Sequence, residues 1–233
     1  MLTDWLRKNI VSHWVRSCDL CHLPAEDSQQ AFCLHCSQYI APIPRCDRCG
    51  LPMPESVEAC GTCLAEPPPW QRLYCVSDYR PPLSGYIHRL KYQKHFHQAK
   101  PLAQWLAGRI EQPAPLITSV PLHWKRQWWR GYNQSDLLAK SLATELTLNY
   151  RVLFRRIEAT KPQQGMDKAD RVRNLRHAFV LNGPPLAKHI AIVDDVVTTG
   201  STVYQLSRLL LEAGVERVDI YCICRTLAPS DLV

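Results

Sequence analysis

Long apolar runs are missing from this chain of 233 residues. A membrane-spanning helix needs about 20 consecutive apolar residues, and no stretch reaches even about 18. The opening residues, MLTDWLRKNIVSHWVRS, interrupt their apolar positions with charges, unlike the continuous core of a secretory leader. Both absences argue against membrane insertion and export and predict a cytoplasmic protein. Leu2, Trp5, Leu6, Ile10, Trp14 and Val15 fall near helical spacing, predicting an amphipathic helix that packs on the rest of the chain.

Acidic residues are scarce in one region only. Residues 88–176 hold 6 Asp/Glu against 17 Lys/Arg, whereas residues 1–87 hold 9 against 7 and residues 177–233 hold 6 against 4. The formal charge of +7 therefore belongs to the middle segment. Such a field attracts DNA, RNA or a small phosphorylated ligand alike and does not choose among them.

Cysteine is abundant: 11 residues, of which eight form the CxxC pairs Cys18/Cys21, Cys33/Cys36, Cys46/Cys49 and Cys60/Cys63. The spacing between successive pairs matches zinc-ribbon knuckles, each donating two thiolates to a tetrahedral metal. Two structural zinc sites are expected, with sequential pairing preferred and an interleaved arrangement left open. Disulfides conflict with a cytoplasmic location, and a redox CxxC needs a βαβ context that this Pro-rich segment lacks. His22 and His35 stand beside complete four-cysteine sets and are read as bystanders. Cys75, Cys222 and Cys224 are read as buried strand residues. The Pro-rich EPPPW, Glu66 to Trp70, is a semi-rigid linker. Two domains follow: residues 1–67, with the N-terminal helix and ribbon, and residues 68–233.

Beyond the linker, strands are expected at Leu73 to Tyr79, Leu116 to Leu122, Val152 to Arg156, Ala178 to Leu181, Ile190 to Val193 and Arg217 to Arg225. Helices are expected from Leu83, over Leu102 to Ile110 and Leu137 to Leu148, and from Thr202 to a stop at Gly214. The stretch IAIVDDVVTTGST, Ile190 to Thr202, is the most informative. An apolar strand runs into two carboxylates, and a loop of small hydroxylated residues around a glycine opens a helix. Backbone amides of such a loop, at the positive end of a helix dipole, suit an anion. Crevices at the carboxyl ends of parallel strands are where α/β sheets bind ligands.

This stretch resembles the phosphoribosyl pyrophosphate (PRPP) motif of type I phosphoribosyltransferases. The resemblance implies that Asp194 and Asp195 face the ribose hydroxyls and a magnesium ion bound with PRPP. It also implies that Val197, Thr198, Thr199, Gly200, Ser201 and Thr202 hold the 5′-phosphate. Ser119 to Leu122, including Val120 and Pro121, is a candidate pyrophosphate loop, with Arg126 or Arg130 closing over it. Between strand and helix lies HWKRQWWRGYNQ, His123 to Gln134, where basic groups alternate with rings. Trp124, Lys125, Trp128, Trp129 and Arg130 suit single-stranded nucleic acid, cations meeting phosphates and rings stacking on bases. The competing reading is that the tryptophans pack in a core or interface and the arginines serve a pyrophosphate.

Four knuckles, LKY at Leu90 to Tyr92, VPLHW, RGYNQ, the later Gln164, Arg171, Asn174 and Phe179, and the PRPP motif together resemble the ComF/GntX family. That resemblance implies an α/β fold, a phosphoribosyltransferase-like parallel sheet flanked by helices with a small N-terminal zinc-ribbon module. It further implies a role in DNA uptake or utilisation, with single-stranded DNA and a competence helicase as partners. The three tryptophans depart from the arginine-rich loop expected of the family. Two functions follow as expectations: a DNA-handling protein whose site binds PRPP or a nucleotide, or an active magnesium-dependent phosphoribosyltransferase acting on a nitrogen nucleophile. No nucleobase pocket is identifiable from sequence.

Overall fold

The computed structural model describes residues 17, 18, 21, 23, 24, 32–122, 128–157 and 178–226. The expected N-terminal helix, His22, Trp124, Lys125, Arg126, Gln164, Arg171 and Asn174 lie outside them. The chain divides into two compact units, Met1–Pro42 and Ile43–Val233. In the first, Cys33 caps a single helical turn, α1 (Leu34–Ser37), which passes into a 3₁₀ turn at Gln38–Ile40.

The second unit holds a five-stranded parallel sheet ordered β1-β7-β6-β2-β3. Its strands are β1 (Arg72–Asp78), β2 (Leu116–Ser119), β3 (Asn149–Tyr150), β6 (His189–Val197) and β7 (Arg217–Arg225). All five pair in parallel, as the near-continuous apolar runs of β6 and β7 require of strands covered on both faces. A separate antiparallel pair, β4 (Phe154–Arg156) with β5 (Phe179–Leu181), stands beyond the edge strand in sequence.

Helices cover the sheet. After α2 (Gly61–Ala65) come α3 (Leu83–Tyr92), α4 (Ala99–Ala107), α5 (Gln134–Glu145) and α6 (Ser201–Glu212). The apolar stripe of α6, Val203, Leu206 and Leu210, packs with Ile190, Ile192, Val218 and Ile220 in one buried cluster. On the other face α4 and α5 pack together, and Tyr221 accepts a hydrogen bond from the Ala114 amide at 2.9 Å. Burying a Leu, Ile or Val side chain stabilises by about 1.5–3 kcal/mol, so this central layer is the main source of order for the site at its edge.

The apolar run predicted Ile190 to Val193 as the strand. The strand instead extends through both aspartates to Val197. An undistorted strand alternates faces, yet Ile192 and Val197, five positions apart, share the same buried cluster. The register with β7 nevertheless runs unbroken across the acid pair, Asp194 opposite Cys222 and Val196 opposite Cys224, while pairing with β2 ends at Val193. The Asp195 amide donates to Asp194 Oδ1 at 2.9 Å, and the Val196 amide to Asp195 Oδ1 at 2.8 Å. The carboxylates thus satisfy amides of the strand beyond the point where β2 stops pairing with it.

Composition placed a boundary at residue 67/68. Within the second unit, however, hydrogen bonds run across that position: Leu73 N donates to Asp47 O at 2.7 Å, and Arg45 pairs with Asp78 at 2.8 Å. The second cysteine set and the sheet accordingly share one compact unit.

Candidate ligand site and cysteine centres

At the carboxyl end of β6, Asp194 Oδ1 accepts a hydrogen bond from Ser135 Oγ at 2.9 Å. Ser135 is delivered by the first turn of α5, whose N-cap Asn133 accepts from the Ser135 amide at 3.1 Å. Asn133 also donates to Val120 O at 2.9 Å, joining the end of β2 to the helix start. Asp195 is only 3% exposed, and Lys91 Nζ from the last turn of α3 lies 2.9 Å from its Oδ2.

The two carboxylates thereby acquire different characters. Burial, followed by the charge of Asp195, pushes the Asp194 carboxyl up to about 7, against the opposing pull of Lys91 and Ser135. Burial alone would lower the Lys91 ammonium, but Asp195 and then Asp194 outweigh it and hold it above its ordinary value. Asp195 is a neutralised, fixed group. Asp194 titrates near neutrality and remains partly open to a ligand.

Beyond the strand, Thr198 and Thr199 are exposed and Gly200 takes φ +78 as the residue before α6. Left-handed backbone favours glycine, and here a Cβ would also lie 3.3 Å from Trp70 Cη2. Thr199 Oγ1 and Ser201 Oγ are 2.8 Å apart. Beneath the loop, the Arg225 guanidinium donates to Val197 O at 3.2 Å, to Thr198 O, and to Thr226 O at 2.6 Å.

RGYNQ has a scaffolding geometry. Arg130 lies over the Tyr92 ring, 4.9 Å from its centroid, and donates to Gln134 Oε1 at 2.7 Å. Gly131 has φ +83, and the Tyr132 hydroxyl donates to Leu90 O. This segment ties the start of α5 to the end of α3, the two elements that bring Ser135 and Lys91 to the aspartates. Trp128 and Trp129 are 86% and 80% exposed, which removes them from any core among the described residues.

A cavity of about 690 Å³ opens beside the end of β2, lined by Ser119, Pro121, Asp136, Lys140, Arg156 and Asn182 among others. Two of these lining residues are joined by Tyr150, whose hydroxyl donates to Asp136 and lies 3.1 Å from Ser119 Oγ. Burial and then that hydrogen bond raise the Tyr150 phenol well above its usual range. Of its walls only the segment after β2, within the Ser119 to Leu122 loop, was foreseen; the rest come from α5, β4 and Asn182, which are distant in sequence. Lys91, Ser135, Arg225 and Trp70 were likewise not foreseen as site residues. Only the LKY resemblance touched one of them.

The eight knuckle cysteines fall into two sets, Cys18, Cys21, Cys33, Cys36 and Cys46, Cys49, Cys60, Cys63, each with its sulfurs within 4.8 Å of one another. The pairing is thus sequential. Neighbouring sulfurs lie 3.7 Å apart for Cys21 and Cys33, 3.8 Å for Cys49 and Cys60, and 4.0 Å for Cys46 and Cys63. A zinc–sulfur bond of about 2.3 Å gives a tetrahedral edge of about 3.8 Å, so both sets could hold zinc. The Cys60 amide also donates to Cys46 Sγ at 3.2 Å, which would stabilise a thiolate. Burial pushes the Cys49 thiol up to about 12 and that of Cys63 further still, a state that a bound dication would reverse.

Residues 135–232 match the phosphoribosyl transferase domain family. The chain is 43% identical over 220 residues to the DNA utilization protein YhgH of Salmonella typhi, covering 90% of this chain and 97% of that one. The chain belongs to the ComF/GntX family. The competence protein F of Haemophilus influenzae is 36% identical, covering 85% of this chain and 92% of that one. Among solved structures, the allosteric regulatory enzyme of purine biosynthesis is 20% identical and covers 53% of this chain and 25% of that chain, at a TM-score of 0.39. The protein accordingly combines a phosphoribosyltransferase-like domain with two cysteine tetrads able to hold metal. No helix of the described residues is long and apolar enough to cross a membrane.

Proposed function

We propose that this protein serves DNA uptake or utilisation in the cytoplasm, binding PRPP or a nucleotide at the β6 site and single-stranded DNA at the Trp/Arg loop. The names of its relatives supply the DNA role. The observation that carries the ligand reading is the acid pair, in which Lys91 neutralises Asp195 while Asp194 keeps an open acceptor beside the Gly200 loop. In this reading Asp194 accepts from ribose hydroxyls and residues 197–202 hold the 5′-phosphate on loop amides and the α6 dipole. Val120 and Pro121 form the pyrophosphate side, and Arg126 or Arg130 is assigned to it from the sequence.

Zinc in each tetrad is structural. Magnesium enters with PRPP, on the ligand's own oxygens, because Lys91 already holds Asp195 and the pair does not offer two free carboxylates to a metal. Exposed Trp128 and Trp129 supply stacking faces for bases, and the basic middle segment supplies attraction to phosphates.

The second reading, an active phosphoribosyltransferase, draws support from the 690 Å³ cavity, which has room for an acceptor. There the protein's part would be positioning and electrostatics: Asp194 orients the ribose and stabilises positive charge developing at its anomeric carbon. An assay of pyrophosphate release from PRPP across a panel of bases separates the two. PRPP binding without release is expected. Release that disappears in Asp194→Asn with Asp195→Asn would establish the enzyme instead.

A further inference from the structure

The second cysteine tetrad and the anion loop meet through two side chains, and the carbonyls involved are consecutive. Between Cys46 and Cys49, Asp47 O accepts from Leu73 N at 2.7 Å and Arg48 O accepts from the Trp70 indole at 2.6 Å. Cys49 O then accepts from Arg225 Nε at 2.9 Å. Three consecutive carbonyls of the knuckle are thus bonded into β1, the linker and β7.

Both long donors continue to the loop. Arg225 is 8% exposed, and its Nη1 donates to the carbonyls of Val197 and Thr198, the first two residues of the loop. Trp70 is 6% exposed, and its ring lies where a side chain on Gly200 would be. Arg48 closes a reciprocal bond by donating to Trp70 O at 3.3 Å. The spacing of Cys46 and Cys49 around a metal therefore sets where Arg48 O and Cys49 O stand. Those carbonyls in turn hold Trp70 and Arg225 against the loop.

We infer that the second tetrad is a positioning device for the anion loop: metal at Cys46, Cys49, Cys60 and Cys63 and ligand at residues 197–202 strengthen each other's binding through Arg225 and Trp70. This rests on the phosphate reading of the loop and on metal occupancy of the tetrad. Linkage makes the coupling reciprocal, so a ligand on the loop disfavours the opened tetrad at equilibrium by the same factor by which an intact tetrad tightens the ligand. The first tetrad, in the other compact unit, is an internal control.

The test uses the full zinc-loaded chain and ribose 5-phosphate. Alkylation of each cysteine is followed by mass spectrometry with and without saturating ligand, and binding is measured separately by calorimetry. Expected is at least a threefold slowing at Cys46, Cys49, Cys60 and Cys63, with Cys18, Cys21, Cys33 and Cys36 unchanged. Trp70→Phe, which keeps an aromatic side chain but removes the indole donor, and Arg225→Lys should each shrink that protection while leaving wild-type reactivity at the first tetrad. Should either variant fail to fold, the wild-type comparison decides alone. Binding without selective protection overturns the coupling. Absence of binding overturns the ligand reading and the coupling with it.

Discussion

Replacing Lys91 by Met keeps most of the side chain's volume and deletes its charge. Asp195, 3% exposed, then loses the only cation within ion-pairing distance among the described residues, one that stood 2.9 Å from Oδ2. Breaking a buried pair from one side costs about 3–5 kcal/mol, because an uncompensated charge is left inside. The Lys91 side chain is itself 21% exposed, so water recovers part of this and about 2–3 kcal/mol is expected. With a urea dependence of about 1–3 kcal/mol per molar, the midpoint should fall by roughly 1–2 M. The double variant Lys91→Met with Asp195→Asn should regain all but about 1 kcal/mol, since removing both partners leaves no orphaned charge.

A second readout belongs to the site. Lys91 holds the Asp194 carboxyl down from where burial would take it, to about 7. Ligand affinity that needs ionised Asp194 should rise as pH passes about 7 in the wild type, and that midpoint should move alkaline in Lys91→Met. The stability term has the opposite sign. A carboxyl raised in the folded state contributes stability that is complete below its unfolded value and lost as pH rises through about 7, so Asp194→Asn should stabilise more at pH ~8 than at pH ~5. A Lys91→Met variant within about 0.5 kcal/mol of wild type, or single and double variants that simply add, would refute the buried-pair account.

Gly200→Ala should cost about 1–2 kcal/mol for its left-handed backbone, since φ is +78, and weaken ribose 5-phosphate binding at least tenfold as the loop shifts from Trp70. Gly214→Ala, at φ +91 with nothing within 4 Å of its Cβ, should show similar destabilisation by urea titration with affinity unchanged. Trp128→Ala and Trp129→Ala should leave stability within about 0.5 kcal/mol, as both rings are exposed. Each should weaken single-stranded DNA binding about tenfold in an anisotropy titration, with the salt dependence retained. Elemental analysis should find two zinc ions per chain; one would leave a tetrad without its metal.

Much of the fold was legible because its central elements have strong periodic signals. The strand at Arg217–Arg225, the helix from the Gly200 loop to Gly214, and the parallel partners around β6 all follow from apolar runs and a glycine stop. The edge strand β3 was not anticipated, since two residues, Asn149–Tyr150, carry no period. The carboxyl end of β6 was misplaced because Asp194 and Asp195 interrupt its apolar run, although the strand stays paired with β7 as far as Val197.

The site was half legible. Asp194, Asp195 and the Thr/Gly loop are contiguous in sequence, so their chemistry shows locally. Lys91 and Arg225 looked like ordinary residues at a helix end and a strand end. Only tertiary placement makes one a counter-ion and the other a strut. Arg130, expected from its place in RGYNQ to serve a phosphate, also lies over Tyr92 and donates to Gln134, contacts that the sequence did not announce. The exposed Trp128 and Trp129 were undecided by spacing alone, since a helical pair of rings suits a core as well as a surface.

Calorimetric titration of the zinc-loaded chain with magnesium PRPP tests the account at its centre. Saturable binding at one site per chain, lost in Asp194→Asn with Asp195→Asn while the circular dichroism spectrum is kept, is the predicted result. No binding, or binding that the double variant leaves intact, would contradict the assignment of the β6 carboxylates and the Gly200 loop as a ligand site.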